Sequence, residues 1–562
     1  MSGVVTDGPG SDTAVVAEER PARSRRWFVY TLPGAWSALV FACLSFTPSL
    51  LPRSSLVQGV VCGITAAVGY GVGVVLAWVW RAFADRDPRP ARRGAWRVFL
   101  VAAVVALLAA VVLGQHWQSE QRDLMGVDAP NPLSLLALPV VAALFFVVLV
   151  GAGHGLRAAY LWITRQLNRW IGPRAARAVG WIVVAGTTVA LTTGVLADGL
   201  VSLANDTFSI RNTITPDGVV QPTVPTRSGG PGSLVSWDSL GREGRVFAGG
   251  GSSAAEIAAF TGRPAKEPIR AYAGLESADT TEQRAELAVD DLVRAGGFGR
   301  ANLVVTTTTG SGFVEPAAAT AIEYLTGGDS AIVAIQYSFL PSWMSYLVDQ
   351  AVAREAGRDL FDAVYRRWSA LPAGQRPRLF AYGESLGSFG GETAFSGEYD
   401  LSNRTSGAVF AGPPNFNTLY REFVDGRDRG SREVAPVYRN GRIVRFEEDP
   451  GTPVQPESQP WPSPRVLYLQ HPSDPIVWWS PDLLFSRPDW LSEPRGRDVL
   501  GSMVWLPVVT FWQVSADLPM AGGVPSGHGH KYNVEHVGAW DAILQPSGWT
   551  AADLDRLRAL VR

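Results

Sequence analysis

The residues best suited to catalysis lie in the stretch FAYGESLGSFGG (380–391), where Gly383, Ser385 and Gly387 form the pattern G-x-S-x-G. A serine in this pattern can act as a nucleophile when it sits on a sharp turn between a strand and a helix. Glycines on both sides suit so tight a turn, because a Cβ there would clash with the neighbouring backbone. With 59 glycines in 562 residues the pattern also arises by chance, so its meaning depends on the elements around it.

A nucleophilic serine needs a base, and the base needs a carboxylate that orients it. In the strand–turn–helix arrangement these groups follow the serine in the order Asp or Glu, then His. Asp474 lies in the loop HPSDPIVWW, after the run RVLYLQ and between two prolines that favour a turn. Three histidines, His528, His530 and His536, lie close together in GVPSGHGHKYNVEHVGAW near the end of the chain. Both partners are therefore available in the required order.

The choice of base lies among those three histidines. His528 and His530 flank Gly529 in a loop flexible enough to reach the serine, and we favour His530, with His528 as the alternative. His536 falls in a predicted helix, where packing fixes the side chain, so it is the least favoured. For Asp474 the competing interpretation is a structural aspartate that forms a turn between prolines.

A further requirement is a pair of backbone N–H groups that meet the negative oxygen of a tetrahedral intermediate. The residue after the nucleophile, here Leu386, supplies one of them. The loop TTTTGSGFVEP follows an earlier predicted strand, and its residues Gly310, Ser311 and Gly312 are candidates for the second. The alternative is that the two glycines only turn the chain.

Beyond residue 250 the chain alternates short β-branched runs with helical segments, which is typical of an α/β fold with a mostly parallel, doubly wound sheet. Strands are predicted at 268–275, 302–309, 331–338, 378–383, 407–412, 465–470 and 508–515 (VVTFWQVS). Helices are predicted at 280–295, 315–326, 344–371, 386–397 and 536–544. Ser385 then follows a predicted strand and directly precedes a predicted helix, which is the context that the motif requires.

The first part of the chain contains five apolar runs, at 34–51, 56–80, 97–116, 133–153 and 178–203. Each is close to the roughly 20 residues that a helix needs to cross a membrane. We therefore predict an all-α transmembrane N-terminal domain of five helices. The expected organisation is a disordered cytoplasmic tail at 1–26, the transmembrane domain at 27–204, a linker leading into the next domain at 205–250, and a catalytic α/β domain at 251–562.

Arginines are distributed unevenly over the connections between these runs. Fifteen lie in the N-terminal tail and in the second and fourth connections, whereas the first and third connections contain only Arg53 and Arg122. Because positively charged connections stay in the cytoplasm, this distribution predicts a cytoplasmic N-terminus. Five crossings then place the catalytic domain outside the cytoplasm, in an integral protein of the plasma membrane.

Charge and cysteine content exclude several other classes of function. The net charge is −2, and no soluble segment has the Lys- and Arg-rich tract that a nucleic-acid site would need. The two cysteines, Cys43 and Cys62, both lie in apolar runs, so the soluble half has neither a disulfide nor a thiolate metal site. We expect no cofactor, no metal and no nucleic-acid partner, and the sequence makes no prediction of oligomeric state.

Several segments together resemble the family of multi-pass membrane α/β-hydrolases, which join a helical membrane domain to a hydrolase domain. They are PSLLPR (48–53), TTTTGSGFVEP, IQYSFLPSW, YGESLGS, AGPPNF, HPSDPIVWW, GHGHKYNVEHVGAW and the closing PSGWT. The resemblance implies the α/β-hydrolase fold and a serine mechanism. It also implies catalytic roles for Ser385, Asp474 and one histidine of GHGH.

The preferred hypothesis is a membrane-anchored serine hydrolase that acts outside the cytoplasm through an acyl-enzyme. Its substrate would be an ester or thioester, a lipid or other acyl compound of the cell envelope, because the site is tethered beside a lipid leaflet. An acyltransferase with the same triad is the first alternative. A non-enzymatic, lipid-binding membrane protein with a degenerate hydrolase domain is the second, and a peptidase of the same fold is the third.

Overall fold

The chain folds into a helical part followed by an α/β domain. The structure is a computed structural model that describes residues 30–87, 90–191, 194, 197–341, 344–345, 350–448 and 456–562. The helical part ends at Thr213, and the first strand of the sheet begins at Ile269. The predicted fold class, a helical N-terminal domain followed by a mostly parallel α/β domain, is confirmed.

The helical part packs through close contacts of small residues. Its α-helices are α1 (Leu32–Leu44), α2 (Ser55–Phe83), α3 (Arg93–Met125), α4 (Ala137–Leu167), α5 (Pro173–Ala190) and α6 (Ala197–Thr213). A Cβ on Gly73 would lie 2.6 Å from the carbonyl oxygen of Pro33 in α1. A Cβ on Gly63 would lie 2.6 Å from the carbonyl oxygen of Ala142 in α4. Glycine in α2 therefore allows both neighbouring helices to approach closely.

Three segments of this part are long and apolar enough to cross a membrane. They are α2, α3 and the stretch Pro132–Leu167, which consists of a short 3-10 turn and α4. Their outer faces carry exposed apolar side chains, such as Val101 with 67% and Val140 with 68% of its surface exposed. Soluble proteins rarely leave apolar surface of this extent in contact with water. The three helices therefore indicate that the protein associates with a membrane.

Two of the five predicted spans differ from the helices found. The run 34–51 is not one spanning helix, because α1 has 13 residues and is only about 20 Å long at 1.5 Å per residue. Residues 45–54 instead form an irregular loop that packs on the α/β domain. The run 178–203 corresponds to parts of α5 and α6, and residues 192–193 and 195–196 between them lie outside the described residues.

The α/β domain is built on a seven-stranded sheet in which all neighbouring strands are parallel. The strands are β1 (Ile269–Ala273), β2 (Asn302–Thr307), β3 (Ser330–Ile335), β4 (Arg378–Glu384), β5 (Gly407–Ala411), β6 (Val444–Glu447) and β7 (Arg465–Leu469). Their order across the sheet is β1-β3-β2-β4-β5-β7-β6. The strand before Ser385 is therefore the central one. Its interior residues are buried on both faces, as expected for a parallel sheet covered by helices.

Helices surround this sheet and supply the rest of the core. They are α7 (Gly241–Gly249), α8 (Ala254–Thr261), α9 (Thr281–Arg294), α10 (Pro316–Leu325), α11 (Gln350–Ala370), α12 (Leu386–Glu392), α13 (Glu398–Arg404), α14 (Thr418–Asp425), α15 (Pro475–Trp478), α16 (Val509–Asp517), α17 (Glu535–Leu544) and α18 (Ala551–Val561). The helix predicted at 386–397 corresponds to α12, which ends earlier, at Glu392, and α13 begins just after the predicted range. The beginning of the helix predicted at 344–371 falls partly on residues 346–349, outside the described residues.

One predicted strand is wrong and one strand was missed. The run VVTFWQVS is helix α16, although its β-branched and aromatic residues suggested a strand. The side chains that α16 buries follow the helical period, at positions 509, 510, 513, 514 and 517. Three of them are polar, Thr510, Gln513 and Asp517, so the apolar pattern alone did not show that period. The seventh strand is instead β6, a four-residue strand at the edge of the sheet.

Candidate active site

Ser385 lies on a strained turn between the central strand β4 and helix α12. Its backbone angles are φ 56° and ψ −127°, in a region that residues other than glycine rarely adopt. A Cβ on Gly383 would lie 2.4 Å from the carbonyl oxygen of Gly387. A Cβ on Gly387 would lie 2.3 Å from the carbonyl oxygen of Thr307. Both glycines of the motif are therefore required by close backbone contacts at this turn.

Asp474 and His530 are brought together although 56 residues separate them. Nδ1 of His530 lies 2.6 Å from Oδ2 of Asp474, and the carboxylate is completely buried. The hydroxyl of Tyr532 donates to the same oxygen over 2.9 Å, and the amide of Ile476 donates to Oδ1 over 2.9 Å. Since an ionised carboxylate only accepts hydrogen bonds, Nδ1 of His530 must carry a proton in this contact.

This contact leaves the other nitrogen of His530 available. Nε2 is buried and has no hydrogen-bond partner among the described residues. Burial lowers the pKa of His530, but the negative charge and the hydrogen bond of Asp474 outweigh it and raise the pKa above the usual value. The neutral imidazole, protonated on Nδ1, therefore presents a lone pair on Nε2 that can accept a proton.

Contacts around Gly412 place the imidazole of His530 beside the serine turn. The amide of Ser385 donates to the carbonyl oxygen of Ala411, the last residue of β5, over 2.8 Å. The next residue is Gly412, and a Cβ on it would lie 2.3 Å from Cε1 of His530. Three loops that follow β4, β5 and β7, together with the histidine loop, therefore meet at the carboxyl ends of the strands.

His528 occupies a different position from His530. Its Nδ1 lies 3.0 Å from Oδ2 of Asp498, a buried aspartate that the sequence did not indicate. Asp498 also accepts a hydrogen bond from Ser473, and the hydroxyl of Ser473 in turn accepts one from the amide of Gly529 over 2.8 Å. This second pair therefore connects the histidine loop to the loop of Asp474, as a brace.

His536 is fixed beneath the serine by contacts of its own. It is completely buried at the start of α17, with Nε2 3.2 Å from Oε2 of Glu384 and 3.4 Å from the hydroxyl of Tyr382. Glu384 is the residue directly before Ser385. Burial and the nearby charge of Glu384 raise the pKa of Glu315, at the start of α10, to about 7. Sequence reasoning missed both glutamates, although Glu384 lies within the G-x-S-x-G motif itself.

The candidate oxyanion donors lie on two adjoining backbone segments. Leu386 is the first residue of α12, so its amide has no carbonyl acceptor in its own helix. Across from it is the loop after β2, where the amide of Gly312 donates to the carbonyl oxygen of Thr309 over 2.9 Å. Gly312 therefore closes the turn. Within the described residues, the amides of Gly310 and Ser311 donate no hydrogen bond.

Apolar side chains line one side of this arrangement. Ile476 and Ala521 are buried in a small cluster, against which Phe416, Trp479 and Leu518 pack while remaining partly exposed. Ile476 is two residues from Asp474, and the carbonyl oxygen of Ala521 accepts a hydrogen bond from the amide of His530. An apolar wall therefore adjoins the histidine–aspartate pair.

A parallel sheet with a serine on the turn after its central strand, an aspartate after a later strand and a histidine loop beyond defines the class of α/β-hydrolases. The family described as "Alpha/beta-hydrolase family" matches residues 269–557, and "Alpha/beta-hydrolase family N-terminus" matches residues 46–251. The chain belongs to this α/β-hydrolase family, which confirms the resemblance seen in its motifs. Comparison with curated proteins and with solved structures finds no match.

Proposed function

We propose that the protein is a membrane-anchored serine hydrolase in which Ser385 is the nucleophile, His530 the base and Asp474 the carboxylate that orients the base. The observation that carries this proposal is the state of His530. Its Nδ1 is held 2.6 Å from Asp474, and its buried Nε2 has no partner beside the serine turn. His471, by contrast, uses both of its ring nitrogens, in contacts with Gly529 and Glu535. Nδ1 of His536 is also buried without a partner among the described residues, but its ring is held by Glu384 and Tyr382. His530 is therefore distinguished by its contact with Asp474 together with the position of its ring beside the serine turn.

In the first half of the reaction, Oγ of Ser385 attacks the carbonyl carbon of an ester or thioester and gives its proton to Nε2 of His530. Asp474 stabilises the imidazolium that forms and keeps the ring in this orientation. The tetrahedral intermediate collapses to an acyl-enzyme, and His530 returns the proton to the departing alcohol or thiol. In the second half, water is activated by the same nitrogen and releases the acid.

The negative oxygen of the intermediate would be met by two backbone amides. We assign these to Leu386 and to either Gly310 or Ser311, because the amide of Gly312 is already used inside its turn. Each such donor is typically responsible for about 10²–10³-fold in rate. The loop of Gly310 adjoins the start of α12, since a Cβ on Gly387 would touch the carbonyl oxygens of Thr307 and Thr308.

The apolar wall beside the triad favours an apolar acyl group in the substrate. Phe416 and Trp479 retain exposed surface there, and the ring of Phe416 lies 4.9 Å from that of Phe389, centroid to centroid, on the helix that follows Ser385. A membrane-associated protein meets such acyl groups in lipids and other envelope esters. This supports a lipid-like acyl ester as the substrate class.

The arrangement of the helices supports an extracytoplasmic position for the hydrolase domain. Residues 45–54 before α2 and the end of α3 at Met125 pack on that domain. The opposite end of α2, near Phe83, is about 40 Å away at 1.5 Å per residue. The arginine-rich connections follow α2 and α4 at that distant end. Since such connections stay in the cytoplasm, the hydrolase domain would lie on the other side.

The catalytic proposal is tested by labelling membranes that contain the full chain with a fluorophosphonate, which reacts with an activated serine. We expect the wild type to be labelled and Ser385→Ala to be unlabelled. Equal labelling of Ser388→Ala and the wild type would localise the reaction to the motif serine. An unlabelled wild type, or undiminished labelling of Ser385→Ala, would overturn the proposal.

The orientation is tested separately with a membrane-impermeant maleimide on intact cells. Tyr399→Cys in the hydrolase domain and Trp170→Cys after α4 are matched sites, with 83% and 87% of their surfaces exposed. We expect reaction at position 399 and none at position 170 until the cells are opened. The reverse pattern would place the hydrolase domain in the cytoplasm.

A further inference from the structure

We propose that the helical domain positions the catalytic histidine. A segment of that domain, residues 45–54 between α1 and α2, here named the docking loop, holds helix α16, and α16 in turn holds the loop of His530. The inference rests on the proposed function, because it concerns the reactivity of the same serine. It assigns Leu51 and Asp517 as positioning residues that touch neither the substrate nor the reacting atoms.

The docking loop is inserted into the hydrolase domain rather than lying on its surface. Leu50 and Leu51 are completely buried within the main core cluster of that domain. The carboxylate of Asp517, at the end of α16, accepts hydrogen bonds from the hydroxyl of Ser49 and, over 3.2 Å, from the amide of Leu50. Arg53 completes the contact, with Nε 3.5 Å from Oδ1 of Asp517 and both side chains fully buried.

A second residue of α16 binds the same loop. Nε2 of Gln513 donates to the carbonyl oxygen of Thr47 over 2.8 Å and lies 3.2 Å from that of Ser45. Gln513 and Asp517 are four residues apart, so they share one face of the helix. Two of the three polar residues that obscured the helical pattern of this segment, Gln513 and Asp517, are thus the ones that join it to the helical domain.

The contact continues from α16 to the catalytic histidine through a short path. Four residues after Asp517, the carbonyl oxygen of Ala521 accepts a hydrogen bond from the amide of His530 over 2.8 Å. Leu51 also reaches the histidine loop directly, because a Cβ on Gly529 would lie 3.4 Å from its Cδ2 atom. The backbone of the histidine loop is therefore held by the docking loop on one side and, on another, by the segment that directly follows α16.

The contact between the docking loop and α16 depends strongly on both Arg53 and Asp517, because they form a buried ion pair. Burial raises the pKa of Asp517 to about 6, although the positive charge of Arg53 and the hydrogen bonds from Ser49 and Leu50 oppose that rise. A buried carboxylate left without its partners is strongly unfavourable, so loss of the docking loop would destabilise α16 in this position. Since small displacements of a catalytic group can cost about 10²-fold in rate, the base would lose efficiency.

The first test compares two truncations of buried leucines in the full chain, Leu51→Ala and Leu292→Ala. Both side chains are completely buried in the same core cluster, but Leu292 lies on α9, away from the histidine loop. We expect Leu51→Ala to lower the fluorophosphonate labelling rate of Ser385 by about 10- to 100-fold. Leu292→Ala should lower the melting temperature without a comparable loss of rate, and Leu51→Met should restore most of the rate.

The second test uses Asp517→Asn, a substitution that keeps the shape of the side chain. It tests the proposal even if Leu51→Ala fails to fold. Asp291→Asn is its matched control, because Asp291 is equally buried and accepts hydrogen bonds from Ser228 and from the amide of Leu234. We expect Asp517→Asn alone to shift the midpoint of the pH–rate profile for labelling to lower pH. A displaced His530 would lose the carboxylate contact that raises its pKa, whereas a change in stability alone does not move this midpoint.

The outcomes separate the two proposals. An unlabelled wild type would remove the proposed function and this inference with it. A labelled wild type, with equal rates and unshifted pH profiles in the Asp517 and Asp291 variants, would leave the proposed function standing and overturn the positioning role of the helical domain.

Discussion

Two histidines of one loop, separated by one glycine, each contact an aspartate from another segment, and they differ in what lies beside the imidazole ring. In the first pair Nδ1 of His530 lies 2.6 Å from Asp474, and in the second Nδ1 of His528 lies 3.0 Å from Asp498. Only the first imidazole lies against Gly412, the residue after the end of β5. A histidine–carboxylate contact is thus not enough to identify a base.

The two carboxylates also have different neighbours. Asp474 accepts hydrogen bonds from Tyr532 and from the amide of Ile476, so its orientation toward His530 is determined by its surroundings. Asp498 is shared with Ser473. Burial would raise the pKa of Asp498, but the hydrogen bonds from His528 and Ser473 outweigh it and lower the pKa. The second pair therefore stabilises the loop that the first pair uses.

The largest difference between the pairs is expected on removal of each histidine. His530→Gln should lower the fluorophosphonate labelling rate by about 10⁴-fold or more, because it removes the group that accepts the proton of Ser385. His528→Gln should lower it by less than about 100-fold, the loss that follows from a small displacement of the loop. Parallel rate measurements check both, and a larger effect of His528→Gln would exchange the roles of the two histidines.

Substitution of the two carboxylates should follow the same order, with a larger loss of labelling rate for Asp474 than for Asp498. Asp474→Asn should lower the labelling rate by about 10⁴-fold, because an amide favours the tautomer of His530 that carries its proton on Nε2. Asp498→Asn should instead be visible as a loss of stability of roughly 1–3 kcal/mol. Thermal denaturation alongside the rate measurement distinguishes the two effects, and equal rate losses in both variants would contradict the distinction drawn here.

A smaller loss of labelling rate is expected when a side chain is added next to the imidazole of His530. Gly412 has φ +53°, and the Cβ introduced by Gly412→Ala would meet the His530 ring at 2.3 Å. We expect a loss of labelling rate of about 10²-fold through displacement of that ring. Gly522→Ala is the control, because no atom lies within 4 Å of its added Cβ. An unchanged rate for Gly412→Ala in a folded protein would show that His530 does not occupy this position during the reaction.

The smallest effect concerns pH. The base must be neutral to accept a proton, so the labelling rate should rise with pH through the pKa of His530. Burial lowers this pKa, but Asp474 raises it more strongly, so the midpoint should lie above about 6.5. Asp474→Asn should move the midpoint down and His528→Gln should leave it in place. A wild-type midpoint below the usual histidine value would argue that Asp474 does not bind His530 in solution.

The sequence predicts most of the fold because its elements have strong local patterns. Six of the seven predicted strands are present, from β1 to β5 and at β7, since each is a compact, mostly apolar run with β-branched or aromatic residues. Helix α16 was predicted as a strand because its buried face includes the polar side chains of Gln513 and Asp517, which hides the helical period. Both side chains are buried because they contact the docking loop. The edge strand β6 is too short to have a pattern of its own.

What the sequence by itself determined is the serine turn and the order of its partners. The steric demands of Gly383 and Gly387 act within a few residues, and alternating strands and helices specify a parallel sheet that gathers its loops at one edge. Only the tertiary structure decided which histidine meets Asp474, that Asp498 holds the other one, and that the docking loop reaches the histidine loop. These contacts join residues far apart in the chain, and they depend on how buried charges and side chains pack together, which no local pattern encodes.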